Sequence, residues 1–176
     1  EIDRLAALVT VEGIVDRGDP LRRLAAGLKT DGSGADAIAE RLRLSNADRG
    51  RLRELVAADQ RLTRDMDTQM RRETLYRLGA DRWRDRVLID WAEEIALGGS
   101  PDSHFSEAWR DLYDLPDDGT PPAFPLQGHD VLALGIAAGP AVGRHLGQVE
   151  EWWIAGGFAA DRKACLSKLR DITSTG

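Results

Sequence analysis

His129-Asp130 is the first place where residue types suggest chemistry. An imidazole beside a carboxylate can hold a divalent ion that activates water against a phosphoester. Such a centre needs an upstream His and a downstream Asp, and His104 with Asp161 or Asp171 could be cast in those parts. The competing expectation is a polar residue at a helix N-terminus beside a capping carboxylate. With only three histidines, His104, His129 and His145, spacing defines no metal site.

Gly98-Gly99-Ser100 suggests nucleotidyl transfer, in which a Gly-Ser turn precedes two carboxylates that bind two metal ions. Here Asp111 and Asp114 fall on a helical pattern, the triplet Asp65-Met66-Asp67 comes before the turn, and no strand leads into it. Gly98-Gly99 therefore reads as a helix stop, and no catalytic residue is assigned.

A third constellation suits phosphate. Gly128 and Gly135 bound a short apolar helix, and Gly139-Pro140 restarts the chain, since Pro fits the first helical position. Val142, Leu146, Val149 and Trp153 lie on one face of the second helix, against which Leu132 and Ile136 are expected to pack. Unpaired first amides and the helix dipole suit an anion, Gly139 and Gly143 allow close approach, and Arg144 adds charge. Alternatively, these glycines only let two helices pack. Arg61, Arg64, Arg71 and Arg72 also fall roughly on one predicted face, with Arg77, Arg82, Arg84 and Arg86 following. Interleaved carboxylates favour a solvated, paired surface over a phosphate track.

The elements that must position these residues are helices throughout. Ile2, Leu5, Leu8 and Val9 form a stripe interrupted by Gly13 and Gly18. Asp19-Pro20 caps a helix with Leu21, Leu24, Ala25 and Leu28 inside, and after a loop at 29–34 a short helix carries Ala35, Ile38 and Leu42. Ser45 starts the next, with Leu52, Leu55, Val56 and Leu62 inward. Spacing predicts a helix over 61–78 with Met66, Met70, Leu75 and Leu78 apolar and Gly79 as C-cap. Trp83, Val87, Trp91 and Ile95 carry another, and Phe105, Trp109 and Leu112 one from about Ser103 to Pro116. A last helix starts at Asp161 with Cys165, Leu166, Leu169 and Ile172 inward. No segment alternates with period two. The expected fold is all-α: a multi-helical body over 1–115, a linker at 116–127, and a small helical tail over 128–176 with a helix-hairpin-helix-like unit.

At 176 residues, 42% hydrophobic and 31% charged, the composition is that of a globular chain. The single cysteine excludes an internal disulfide. The residues show no basic-then-apolar pattern of a signal peptide and no apolar run long enough for a membrane helix, so neither is expected and a reducing cytoplasm is the expected setting. Net charge is −6, the wrong sign for bulk electrostatic binding of nucleic acid, so any RNA contact must be a local patch. A start at Glu1-Ile2-Asp3-Arg4-Leu5, without Met, suggests a piece of something longer.

The segment from Phe124-Pro125-Leu126-Gln127-Gly128-His129-Asp130 through Leu134-Gly135 and Gly139-Pro140-Ala141-Val142-Gly143 to Trp152-Trp153 resembles the C-terminal hallmark of bacterial tRNA nucleotidyltransferases. These are the CCA-adding enzymes of the poly(A) polymerase family. Leu42 to Asp48, Tyr76 to Gly79 and Arg82 to Trp91 resemble the helical body before it. The resemblance implies an N-terminal catalytic head, unmatched in this chain, that uses Mg and CTP or ATP on the tRNA 3′ end. It implies no cofactor for this region, with tRNA and the missing head as partners. Gly128, Asp130, Gly139, Pro140 and Gly143 match the family's tail pattern. His129 stands where relatives commonly carry Lys or Arg, which weakens the local positive charge.

The expected function is therefore that of a non-catalytic, tRNA-positioning region. Its candidate RNA-binding residues are Gly128, His129, Gly139, Pro140, Gly143 and Arg144; the last is inferred from position. The alternatives are an HD-type metal-dependent phosphohydrolase centred on His129-Asp130 and a helical protein-interaction module.

Overall fold

The computed structural model describes residues 2–57, 61–99, 104–119 and 122–174, and for 2, 104 and 105 the backbone alone. The protein is all-α. Among the described residues are ten α-helices, one 3-10 turn and no strand. The chain divides into two compact units, Glu1–Thr120 and Pro121–Gly176, with the boundary inside the span 116–127. Leu126 is already buried in the second unit.

The first unit holds α1 (Ile2–Ile14), α2 (Pro20–Gly27), α3 (Gly32–Arg41), α4 (Asn46–Val56), α5 (Thr68–Leu78), α6 (Ala80–Ala96), α7 (His104–Asp114) and the turn Leu115–Asp117. Local chemistry sets most helix starts. The side chains of Asp19, Asp31, Ser45 and Asp67 each accept a backbone N–H of the following first turn, satisfying donors the helix cannot pair. Gly79, at φ 76°, ends α5 and begins α6, a conformation that favours glycine.

The core is built around α6, whose Trp83, Val87, Leu88 and Trp91 are buried against Leu8 and Val11 of α1 and Leu112 of α7. The Trp83 indole N–H donates to the Leu112 carbonyl at 2.6 Å, which satisfies the ring's one polar atom.

Several expectations require correction. α1 continues through Gly13, and its inner face carries Val11 and Glu12, while Val9 is exposed because it lies off that stripe. α3 begins at Gly32, since Asp31 caps it within the segment read as loop. The helix expected over 61–78 begins only at Thr68, where Asp67 caps it, so Arg61 and Arg64 share no helical face with Arg71 and Arg72. Met70 is exposed. Ser100 and Ser103 lie outside the described residues, as do the side chains of Ile2, His104 and Phe105.

The second unit holds α8 (Gly128–Leu132), α9 (Pro140–Ala155) and α10 (Arg162–Ser174). Its core is Leu126, Val131, Val149, Trp153, Ile154, Cys165 and Leu169. Trp153 meets Phe158 edge-on at 5.0 Å and Phe124 at 5.5 Å, and its indole N–H donates to the Ala160 carbonyl at 2.9 Å. Those contacts fasten the segment that leads into α8 and the loop between α9 and α10 onto α9. Leu132, expected to pack on α9, is exposed; the side chains that α8 buries are those of Asp130 and Val131.

Candidate nucleic-acid interface in the helical tail

Asp130 sets the entry to α8. Its carboxylate accepts the Gln127 N–H at 2.8 Å, and both its oxygens meet the Arg162 guanidinium, which also donates to the Pro125 carbonyl. One arginine thus ties the start of α10 to the segment that leads into α8. Burial pushes the Asp130 carboxyl up, but the Gln127 amide and Arg162 more than offset it, so its pKa lies below the ordinary aspartate value. His129 is largely exposed, with Nε2 3.3 Å from Asp130.

The other parts of a metal centre do not converge on this pair among the described side chains. Asp161 caps α10 through the Ala164 N–H at 2.8 Å, and Asp171 is exposed on that helix. Among the described residues, no group of three or more His, Cys, Asp or Glu could hold a metal ion. His104, cast as the upstream ligand, lies outside the described side chains.

The hairpin that follows presents a different surface. Gly139, at φ 152° and ψ −168°, precedes Pro140 in a backbone region essentially reserved for glycine. No side chain caps the first turn of α9. Gly128 faces inward: a Cβ there would touch the Val142 methyl at 3.6 Å, an ordinary contact that fits the packing of α8 on α9. Gly139, Gly143 and Gly147 behave otherwise. They recur every fourth residue along α9, and a Cβ on any of them would meet nothing within 4 Å. Packing inside this unit therefore does not explain them. Gly13 of α1, Gly27 of α2 and Gly50 of α4 are similarly open, but each stands alone in its helix.

A second ridge runs beside the glycines. Pro140, Arg144, Gln148 and Trp152 also follow one another every fourth residue, and all are exposed. Among the described residues Arg144 has no ion-pair or side-chain hydrogen-bond partner, and it is the one Lys, Arg, Asp or Glu between Val131 and Val149. Residues 121–176 contain five basic and five acidic side chains, so the chain's acidic excess lies outside the tail. The tail taken by itself is therefore neutral, and the net charge of −6 belongs to the body.

The arginines of the body are placed differently. Arg64 pairs with Glu94 at 2.9 Å, Arg82 with Glu54 at 2.9 Å, Arg84 with Asp117 at 2.6 Å and Arg86 with Asp90 at 2.8 Å, while Arg61 meets Glu93. A cleft of about 440 Å³ beside α4 and α6 is bordered by Arg51, Arg82 and Arg86, but acidic partners engage each of them.

Glu12, Arg22, Asp85 and Asp90 are buried charges that periodicity does not reveal, because it assigns charged residues to the outside. The glycine ridge was legible as spacing, whereas its openness was not.

No protein-family model and no solved structure matches the chain. A 65-residue stretch, 37% of this chain, is 43% identical to a Rhodospirillum rubrum protein described as "Uncharacterized 28 kDa protein in petA 5'region". The match spans 25% of that protein's length.

Proposed function

We propose that this chain is the C-terminal helical region of a tRNA nucleotidyltransferase of the CCA-adding type. It is non-catalytic by itself and positions tRNA for a catalytic domain earlier in the same polypeptide. Its setting is the cytoplasm, and its partners are tRNA and that domain, where Mg and CTP or ATP are handled. The motif pattern from Phe124 to Trp153 supports this reading. The structural observation that carries it is the open ridge Gly139-Gly143-Gly147 beside the unpaired Arg144.

A glycine inside a helix costs stability relative to alanine, so two of them without an internal packing contact call for an outside reason. A sugar-phosphate backbone laid along α9 supplies one. It gains close approach over the glycines, the positive end of the helix dipole and a charge-assisted bond from Arg144. Structured RNA is commonly recognised in this way, by shape and backbone.

Titrating the chain with a tRNA transcript at about 50 and 200 mM salt tests the reading. Binding should weaken as salt rises. Arg144→Ala should lower affinity and reduce the log–log salt slope by roughly one contact. Absent binding, or identical slopes for the two proteins, overturns it. Sequence upstream of Glu1 offers a separate check, since a Gly-Ser turn with paired carboxylates is required there.

The same ridge favours a second reading, a helical interaction module, because small residues every fourth position also allow close helix pairing. Concentration-dependent dimerisation that Gly143→Leu abolishes, in a chain that ignores tRNA, would select it.

A further inference from the structure

The ridge Arg144-Gln148-Trp152 ends on an indole that is 38% exposed on α9. Its neighbour Trp153 is spent on the core, with its N–H bonded to Ala160. Among the described residues the Trp152 side chain has no hydrogen-bond partner, so its N–H is available as a donor. Against its ring, 5.9 Å from the centroid, lies the Lys168 ammonium of α10. A cation at that distance steadies the ring by attraction to its π-face and adds positive charge beside it.

We infer that Trp152 is a stacking platform for an unpaired base of the bound RNA, with Lys168 steadying the ring and Arg144 holding the backbone further along α9. This deepens the RNA-binding reading above and rests on it. Eight residues separate Arg144 from Trp152, or about 12 Å of helix, so a short run of nucleotides along the glycine ridge can touch both. Exposed Glu151 lies next to Trp152 and disfavours a phosphate there, whereas a base carries no such charge. The backbone is therefore directed to the Arg144 end and the base to the Trp152 end. Stacking tolerates any base, because each has a π-face, so this contact selects unpaired nucleotides over duplex without choosing a sequence.

The test uses the full chain and a tRNA transcript, reading affinity by filter retention and environment by tryptophan fluorescence. Trp152→Ala should weaken binding by about 5- to 150-fold, the range for one lost stack. Trp152→Phe should keep most of the affinity but lose the RNA-induced quench of emission, a readout that a purely structural role would not move. Lys168→Gln should weaken binding less than Trp152→Ala and lower the salt slope. Exchange of the Trp153 indole proton checks that the tail stays folded in each variant. If tRNA binds with salt dependence but Trp152→Ala equals the parent, this inference fails and the RNA reading stands. Equal losses for Phe and Ala, or a quench that survives in Trp152→Phe, also overturn it. If tRNA does not bind at all, both fall.

Discussion

Arg22 of α2 donates its Nε–H to the Asp85 carboxylate of α6 at 3.0 Å, with both side chains nearly shut off from solvent. The pair is the centre of a larger network. Arg22 also donates to Glu12 of α1 at 2.8 Å, and Arg51 of α4 grips the other side of Asp85 at 2.7 and 2.8 Å while reaching Asp19 at 2.9 Å. Four helices are thus joined through charges that have traded water for each other. Desolvation offsets much of the attraction in such a network, so its net contribution to stability is smaller than its number of ion pairs suggests.

Removing one member leaves the others charged and buried. Arg22→Met should destabilise the first unit by about 3 kcal/mol, the lower end of the range for breaking a buried pair, since Arg51 still faces Asp85 and Arg23 still meets Glu12 at 2.6 Å. Urea unfolding followed by circular dichroism measures this. A change under about 0.5 kcal/mol, the scale of an ordinary surface substitution, would show that the network is dispensable.

Gly143→Ala separates folding from binding. Nothing lies within 4 Å of the added Cβ, and the position is exposed within α9, so the change should stabilise the tail by about 0.5–1 kcal/mol. The same methyl stands on the ridge proposed to receive an RNA backbone and should weaken tRNA binding. Stability and affinity would move in opposite directions. A variant that is more stable and binds tRNA at parental strength contradicts the close approach along α9.

Helix punctuation was largely readable from the sequence: Asp19-Pro20, Ser45 and Gly79 each mark a boundary that a cap or a positive φ enforces. Periodicity failed where apolar spacing ran on across a capping residue. Met66, Met70 and Leu75 continue a helical rhythm through Arg61–Asp67, yet the carboxylate of Asp67 starts α5 and leaves the preceding residues outside it. Buried charges were invisible for a different reason. Arg22 and Asp85 are 63 residues apart, and nothing local marks either as paired. In the candidate interface, spacing located the glycines and Arg144, but coordinates were needed to separate Gly128, which packs on Val142, from Gly143, which packs on nothing.

Gly139→Ala should act on the fold in the opposite sense to Gly143→Ala. At φ 152° and ψ −168° an L-residue is strained whatever space surrounds it, so a cost of about 1–3 kcal/mol is expected in the tail. Faster hydrogen exchange across α8 and the first turn of α9 would report it. Unchanged exchange there would mean that the turn relaxes into a conformation open to any residue.

The last prediction concerns acid. The folded-state pKa of Asp130 is depressed, since the Gln127 amide and Arg162 outweigh the upward push of burial. A carboxyl with a folded pKa below its unfolded value stabilises fully above the ordinary aspartate range, and that contribution is lost as pH falls through it. Asp130→Asn keeps an acceptor for the Gln127 N–H but removes the charge facing half-exposed Arg162, so at neutral pH it should cost the tail up to about 1 kcal/mol. As pH falls below the ordinary aspartate value toward the depressed folded one, the parent loses that contribution, and the gap between the two proteins should narrow. Exchange of the Trp153 indole proton between pH 3 and 7 follows the tail through this range. A gap of constant size down to pH 3 would show that the Arg162 contact contributes nothing through charge.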